Sequence, residues 1–149
     1  MNLNMTNNQY INAYKKTQQS TNAVTSSHEI VRALMKELLN SMQKIVLDIQ
    51  DERKRKQDNF LVDRDFEEKN ARHRSKNLSK SLSIIYGLQT SLDFDKALKI
   101  ANNLFQLYEY CRHEIIKGFS QKIEDGIIKA IDVIKQIMEG WEEIPSLEK

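Results

Sequence analysis

The sequence has one cysteine, one proline and four glycines in 149 residues. A single cysteine excludes an internal disulfide and suits a reducing compartment. So few glycines and prolines leave too few turn signals for a many-stranded β fold. No apolar run approaches the roughly 18–20 residues that a membrane span needs. The start, Met1-Asn2-Leu3-Asn4, lacks a basic stretch followed by an apolar core, so no signal peptide is expected and the cytoplasm is the default location. Charge of one sign is also missing. The net charge is +2, too small to draw the whole molecule to nucleic acid or anionic lipid. What is present is 40% apolar and 30% charged residues, a composition that fits one soluble helical domain with a sizeable core.

Helical periodicity dominates the second half. Ala97, Ile100, Ala101, Leu104, Leu107, Tyr108, Cys111 and Ile115 recur at steps of three and four, which predicts one continuous apolar stripe. Ile123, Ile127, Ala130, Ile131, Ile134, Ile137, Met138 and Trp141 repeat the pattern. Gly118 lies near the junction, so the pair reads as an antiparallel hairpin. Pro145 prevents the last helix from running far past Trp141.

Upstream, residues 1–27 are rich in Asn, Gln, Thr and Ser and read as a flexible arm. Its small apolar patch of Tyr10, Ile11, Ala13 and Tyr14 is too short for a stable isolated helix and is expected to dock on the body. A long helix should start after Thr25-Ser26-Ser27, burying Ile30, Leu34, Leu38, Ser41, Met42, Ile45 and Ile49. Asp51–Lys80 is the most charged stretch. Arg53–Lys56 and Arg72-His73-Arg74 look basic in isolation but are interleaved with acidic residues, which suits a solvated helix face better than a nucleic-acid patch. Phe60, Leu61, Val62 and Phe66 are expected to pack inside a hairpin tip. Leu78, Leu82, Ile85, Leu88 and Leu92 mark another helix, closed by Ser91–Asp95, with Asp93 or Asp95 available to cap the next. The expected architecture is all-α: an antiparallel four-helix bundle over residues 28–149, with a short N-terminal helical arm and an extended hairpin between the first two helices.

Catalytic chemistry is not legible. His28, His73 and His113 lie on different elements, and no Glu-x-x-His iron motif or glycine-rich phosphate loop is present. Cys111 falls on the apolar stripe, where it acts as a small hydrophobe, and a helix turns it away from His113. No catalytic residue, metal or cofactor is expected, and the chain does not read as an enzyme.

Several runs, taken together, do carry a resemblance. Leu92-Asp93, Ile100-Ala101-Asn102-Asn103-Leu104, Leu107-Tyr108-Glu109-Tyr110 and the later Trp141 closely resemble the flagellar secretion chaperone (FliS) family. Asn77–Ile85 with Leu88, the aromatic arm with Tyr10 and Tyr14, and Ser27–Val31 resemble it too. The chain departs from the family's usual pattern at Ser27-His28, at Leu34-Met35-Lys36-Glu37 and at Ala97-Leu98. It also carries on the order of fifteen extra residues within Asp51–Lys76, read as a longer hairpin projecting from the bundle. The resemblance implies a cytoplasmic chaperone that binds the disordered C-terminal segment of flagellin, prevents premature polymerisation and delivers it to the export apparatus, with export-gate components as further partners. Tyr10, Ile11 and Tyr14 on the arm, and Met35, Tyr86, Leu107, Tyr108 and Tyr110 at stripe edges, are the candidate partner-binding residues. The arm could cover part of an apolar groove until a client displaces it. Alternatives are a helical adaptor for another secreted or regulatory client, and a basic nucleic-acid-binding domain. Monomer and homodimer are both compatible with the sequence.

Overall fold

The computed structural model describes residues 27–58 and 64–143. The arm with Tyr10, Ile11 and Tyr14, the tip residues Phe60–Val62, and Pro145 lie outside this range, and Ser27, drawn as the last residue of the arm, is the first of the opening helix. Four helices form the body: α1 (Ser27–Gln57), α2 (Arg64–Thr90), α3 (Leu98–Gln121) and α4 (Asp125–Glu143). No strand occurs among the described residues. Each helix packs on its neighbours in chain order, and α4 closes the ring on α1, which is the up-down-up-down bundle the periodicity predicts.

The core follows from the spacing. In α1, Leu34, Met35, Leu38, Met42, Ile45, Val46 and Ile49 are all buried. They meet Ile84, Ile85 and Leu88 of α2, Tyr108, Cys111 and Ile115 of α3, and Ile127, Ala130, Ile131 and Ile134 of α4. Aliphatic side chains at three- and four-residue steps present one face to three neighbours, so burial of that face drives assembly.

Two ends of the bundle are tied differently. At the end where α1 begins and α4 finishes, the His28 and Trp141 rings stack at 5.0 Å. The Trp141 indole N–H donates to the His28 carbonyl (3.0 Å). The His28 Nε2 lies 2.7 Å from the Trp141 carbonyl; a carbonyl only accepts, so this nitrogen carries the proton. Arg32 adds an ion pair to Glu142 (2.9 Å). Trp141 therefore packs the end of the bundle.

At the opposite end the ties are ionic. Glu52 is buried and accepts Arg74 (2.6 Å), Lys122 (3.0 Å) and Lys56 (3.3 Å). Burial alone would raise the Glu52 pKa, but Lys122, Arg74 and Lys56 together outweigh it and hold the carboxyl below its ordinary value. Arg53 donates to Glu124 from both terminal guanidinium nitrogens. This network fastens the α3–α4 turn to the α1–α2 hairpin.

The network also corrects the extent of the projecting hairpin. Glu52, Asn70 and Arg74 are buried, Asn70 donates to the Asp48 carbonyl (3.2 Å), and His73 pairs with Asp48. The inner half of Asp51–Lys76 is thus part of the bundle. Only the tip extends past Glu52, by roughly 8 Å on α1 at the rise of an α-helix. There the Arg55 guanidinium sits 4.1 Å from the centroid of the Phe66 ring, a cation–π contact that shields an otherwise exposed aromatic.

Two turns complete the connections. After α2, the Asp93 carboxylate accepts the backbone N–H groups of Asp95 (3.1 Å) and Lys96 (3.0 Å). Asp93 therefore caps the turn, while the residue at the α3 N-cap is Ala97, which makes no side-chain cap. After α3, Lys122 takes the left-handed conformation (φ 54°) and its N–H returns to the Gly118 carbonyl. The Ile123 N–H bonds the same oxygen (3.1 Å), reversing the chain within a few residues.

Candidate functional site

The α3 stripe is wider than one core face can absorb. Ala101, Tyr108, Cys111 and Ile115 are buried. Offset by one residue, Ile100, Leu107, Tyr110 and Glu114 repeat the same intervals of seven, three and four. One residue turns a helix by about 100°, so this second register leaves the core and runs along the flank beside α4. Ile100 is 64% exposed, Leu107 39% and Tyr110 38%. The Cys111 thiol reaches the Ala130 carbonyl (3.6 Å), which places α4 on that side of α3. Across the boundary, Val133 and Ile137 are half-buried against the core, and Ile123 in the turn is 47% exposed. Scattered exposed apolar residues are ordinary; a row of them along one helix–helix boundary is a docking surface in form.

The seam ends in a cavity of about 370 Å³ beside the α3–α4 turn, bordered by Tyr110, Glu114, Gly118, Ile123, Asp125 and Gly126. Two glycines let its walls approach each other closely. A Cβ at Gly118 would lie 2.6 Å from the Ile127 side chain and 2.7 Å from the Ile123 carbonyl, so α3 meets the turn here more closely than any other residue permits. A Cβ at Gly126 would collide with the Glu114 carboxylate, which lies over that glycine.

A smaller apolar patch borders the α2–α3 connection. Tyr86 is 47% exposed, Phe94 37% and Leu98 59%, and Phe94 meets Phe105 edge-on with centroids 6.3 Å apart. Beneath it the Gln89 amide donates to Glu109 (2.9 Å). Arg112 and then Gln89, by their hydrogen bonds, hold the Glu109 carboxyl below its ordinary value.

These positions sort the sequence-derived candidates. Tyr86, Leu107 and Tyr110 face out. Met35 and Tyr108 do not: Met35 is fully buried and Tyr108 nearly so. In Met35's case the apolar face of α1 is broad enough to enclose it. Tyr108 stands two turns from Ala101 and one from Cys111 in the core register, and its phenol is pushed well above its ordinary pKa by burial and then by Cys111. Ile100 and Ile123, read from the sequence as core, belong to the exposed seam. The signal for this lay in the doubled register of α3.

Reactive groups are not assembled. Burial, and then the charge of Glu114, push the Cys111 thiol up to about 12, so it stays protonated and inert. No group of three or more His, Cys, Asp or Glu among the described residues could hold a metal ion, and no described helix is long and apolar enough to cross a membrane. The basic run is largely committed internally: Arg53 to Glu124, Arg55 to Asp51, Lys56 and Arg74 to Glu52. Little of it is left to neutralise phosphates.

Fold and site together define a helical bundle with apolar surface in excess of its own core and with its polar groups spent on holding helices together. The sequence comparisons then specify the family. The family model for the flagellar protein FliS matches residues 10–148, and this chain belongs to that family. It is 27% identical over 136 residues to the flagellar secretion chaperone FliS of Vibrio cholerae serotype O1 (strain ATCC 39315 / El Tor Inaba N16961), covering 91% of this chain and 88% of the relative. No solved structure matches the chain.

Proposed function

We propose that this protein is a cytoplasmic flagellar secretion chaperone that binds the disordered C-terminal segment of flagellin, keeps it from polymerising early and aids its delivery to the export apparatus. The observation that carries this reading is the exposed row Ile100, Leu107, Tyr110 and Ile123 on a chain of this family. An amphipathic segment that orders on binding would lay its apolar residues along the seam, and release of water from both surfaces would drive association. Tyr86, Phe94 and Leu98 offer a second apolar contact near the start of α3. The N-terminal arm, through Tyr10, Ile11 and Tyr14, would cover part of this surface in the free protein and yield to the client. Deleting residues 1–20 should then speed client association or expose dye-binding surface; no change in either counts against the arm's role.

The test of the main reading is calorimetric titration with the C-terminal segment of flagellin from the same organism. One-to-one binding with a negative heat-capacity change supports it, and affinity should fall with salt far less steeply than phosphate binding does. Absence of binding by a folded sample refutes it and turns the search to another client.

A further inference from the structure

The cavity at the end of the seam differs from the seam in chemistry. Glu114 is half-buried, its carboxylate lies against Gly126, and it makes no hydrogen bond or ion pair among the described residues. The Tyr110 ring stands one turn earlier on the same face. Asp125 adds a second carboxylate at the cavity edge. Lys117 and Lys129 also border the cavity, each within a turn of an acidic residue, yet neither forms an ion pair with Glu114 or Asp125. Both lysines are exposed at the rim, where solvent and salt screen them more than the half-buried carboxylate. The inner charge is therefore negative, beside an aromatic face and without an ion-pair partner, steadied only by the N-terminal turn of α4 at Gly126. A cation fits those features: it would neutralise the carboxylate, and its planar or alkyl portion would lie on the tyrosine ring.

On the reading of the seam as the client groove, we propose that this cavity receives a lysine or arginine side chain of the bound segment, with the Glu114 carboxylate as its acceptor and the Tyr110 ring as its wall. The apolar row supplies affinity without register, because an amphipathic segment can slide by one turn and keep most of its contacts. A single charged residue seated at the end of the row fixes which turn is used. Glu114 is thus a specificity-determining residue, and its removal weakens and blurs binding without unfolding the bundle.

A double-mutant cycle tests this. The flagellin C-terminal peptide is titrated, with each lysine and arginine replaced in turn by glutamine, into the parent protein and into Glu114→Gln. One basic position should cost about tenfold in affinity with the parent, as expected for loss of a charged hydrogen bond, and no more than about twofold with Glu114→Gln. Tyr110→Leu, which keeps apolar area but removes the ring, should weaken the same position selectively. The idea is overturned if the unmodified peptide binds well but no basic position couples to Glu114, a result that leaves the chaperone reading intact. It is equally overturned if an acidic peptide residue couples to Lys117 or Lys129 instead. If a folded parent protein fails to bind the peptide at all, the groove reading falls and this inference falls with it.

Discussion

Replacing Gly118 by alanine should destabilise the protein even though alanine is the better helix former. The new methyl group would sit 2.6 Å from Ile127 Cγ1, 2.7 Å from Ile127 Cδ1 and 2.7 Å from the Ile123 carbonyl oxygen. Carbon atoms rest at about 3.5–4.0 Å, so the overlap is roughly 1 Å. Ile127 is fully buried within the core cluster. The Ile123 carbonyl belongs to a turn whose N–H groups at 122 and 123 are both tied to the Gly118 oxygen. Relief must come from moving α3 away from the turn. Overpacking of this kind costs about 1–3 kcal/mol, with a backbone obstacle placing it at the upper end, and the helix-propensity gain returns about 1 kcal/mol. The net expectation is a loss of about 1–2 kcal/mol, or about 3–6 °C in Tm for a domain of this size. Urea titration followed by circular dichroism measures it, with Gly140→Ala as the internal comparison. No atom lies within 4 Å of a Cβ at Gly140, so that variant should gain up to about 1 kcal/mol. If Gly118→Ala proves as stable as the parent, the close approach of α3 to its turn is not what shapes this end of the bundle.

Other expectations follow from burial and charge. Met35→Ala should cost about 2–5 kcal/mol of stability, whereas Leu107→Ser and Tyr110→Ser should stay within about 1 kcal/mol of the parent and lose peptide affinity; equal stability losses in both sets would show that the seam is core. Glu52 and Glu124 have lowered folded pKa values, so their stabilisation is complete above the ordinary value of 4.5 and disappears as pH falls through the folded values. Glu52→Gln should therefore lose about 3–5 kcal/mol at neutral pH by stranding Arg74, and its unfolding free energy should fall less steeply below pH 4.5 than the parent's. Trp141→Phe should cost about 1 kcal/mol through loss of the indole N–H bond to the His28 carbonyl. Trp141→Ala should cost about 2 kcal/mol, less than the 3–5 kcal/mol of a fully buried ring; both are measurable by thermal melts.

The parts of this structure that read directly from sequence are those set by local periodicity. The α1 row from Leu34 to Ile49 and the α4 row from Ile127 to Ile134 each have one apolar face, and that face is the core. On α3 the same rule was ambiguous, because residues 100, 107 and 110 and residues 101, 108 and 111 satisfy it equally. Only the placement of α4, fixed by contacts such as Cys111 to Ala130, decides which register is covered. The Glu52 network was illegible for a different reason. Its members come from α1, α2 and the α3–α4 turn, and nothing in the spacing of Glu52, Arg74 and Lys122 announces that they converge. The cavity was hidden likewise, since its walls come from α3, the turn and α4, which only the close approach at Gly118 and Gly126 brings together. Tyr108 and Tyr110 look interchangeable on paper, yet a two-residue step turns a helix by about 200°, which separates a core ring from a surface one.

The reciprocal bonds between His28 and Trp141 make the order of helices in this protein nearly cyclic. Beyond side-chain packing between the first and last helices, main-chain oxygens at both ends of the described chain are claimed by each other's rings. The natural break in the circle is thus sealed almost as a loop would seal it. A circular permutant joining the two ends through a short linker and opened between Asp58 and Arg64 would keep every helix pairing. It would also move the free ends to the opposite pole, separating what the tails do from what the bundle does.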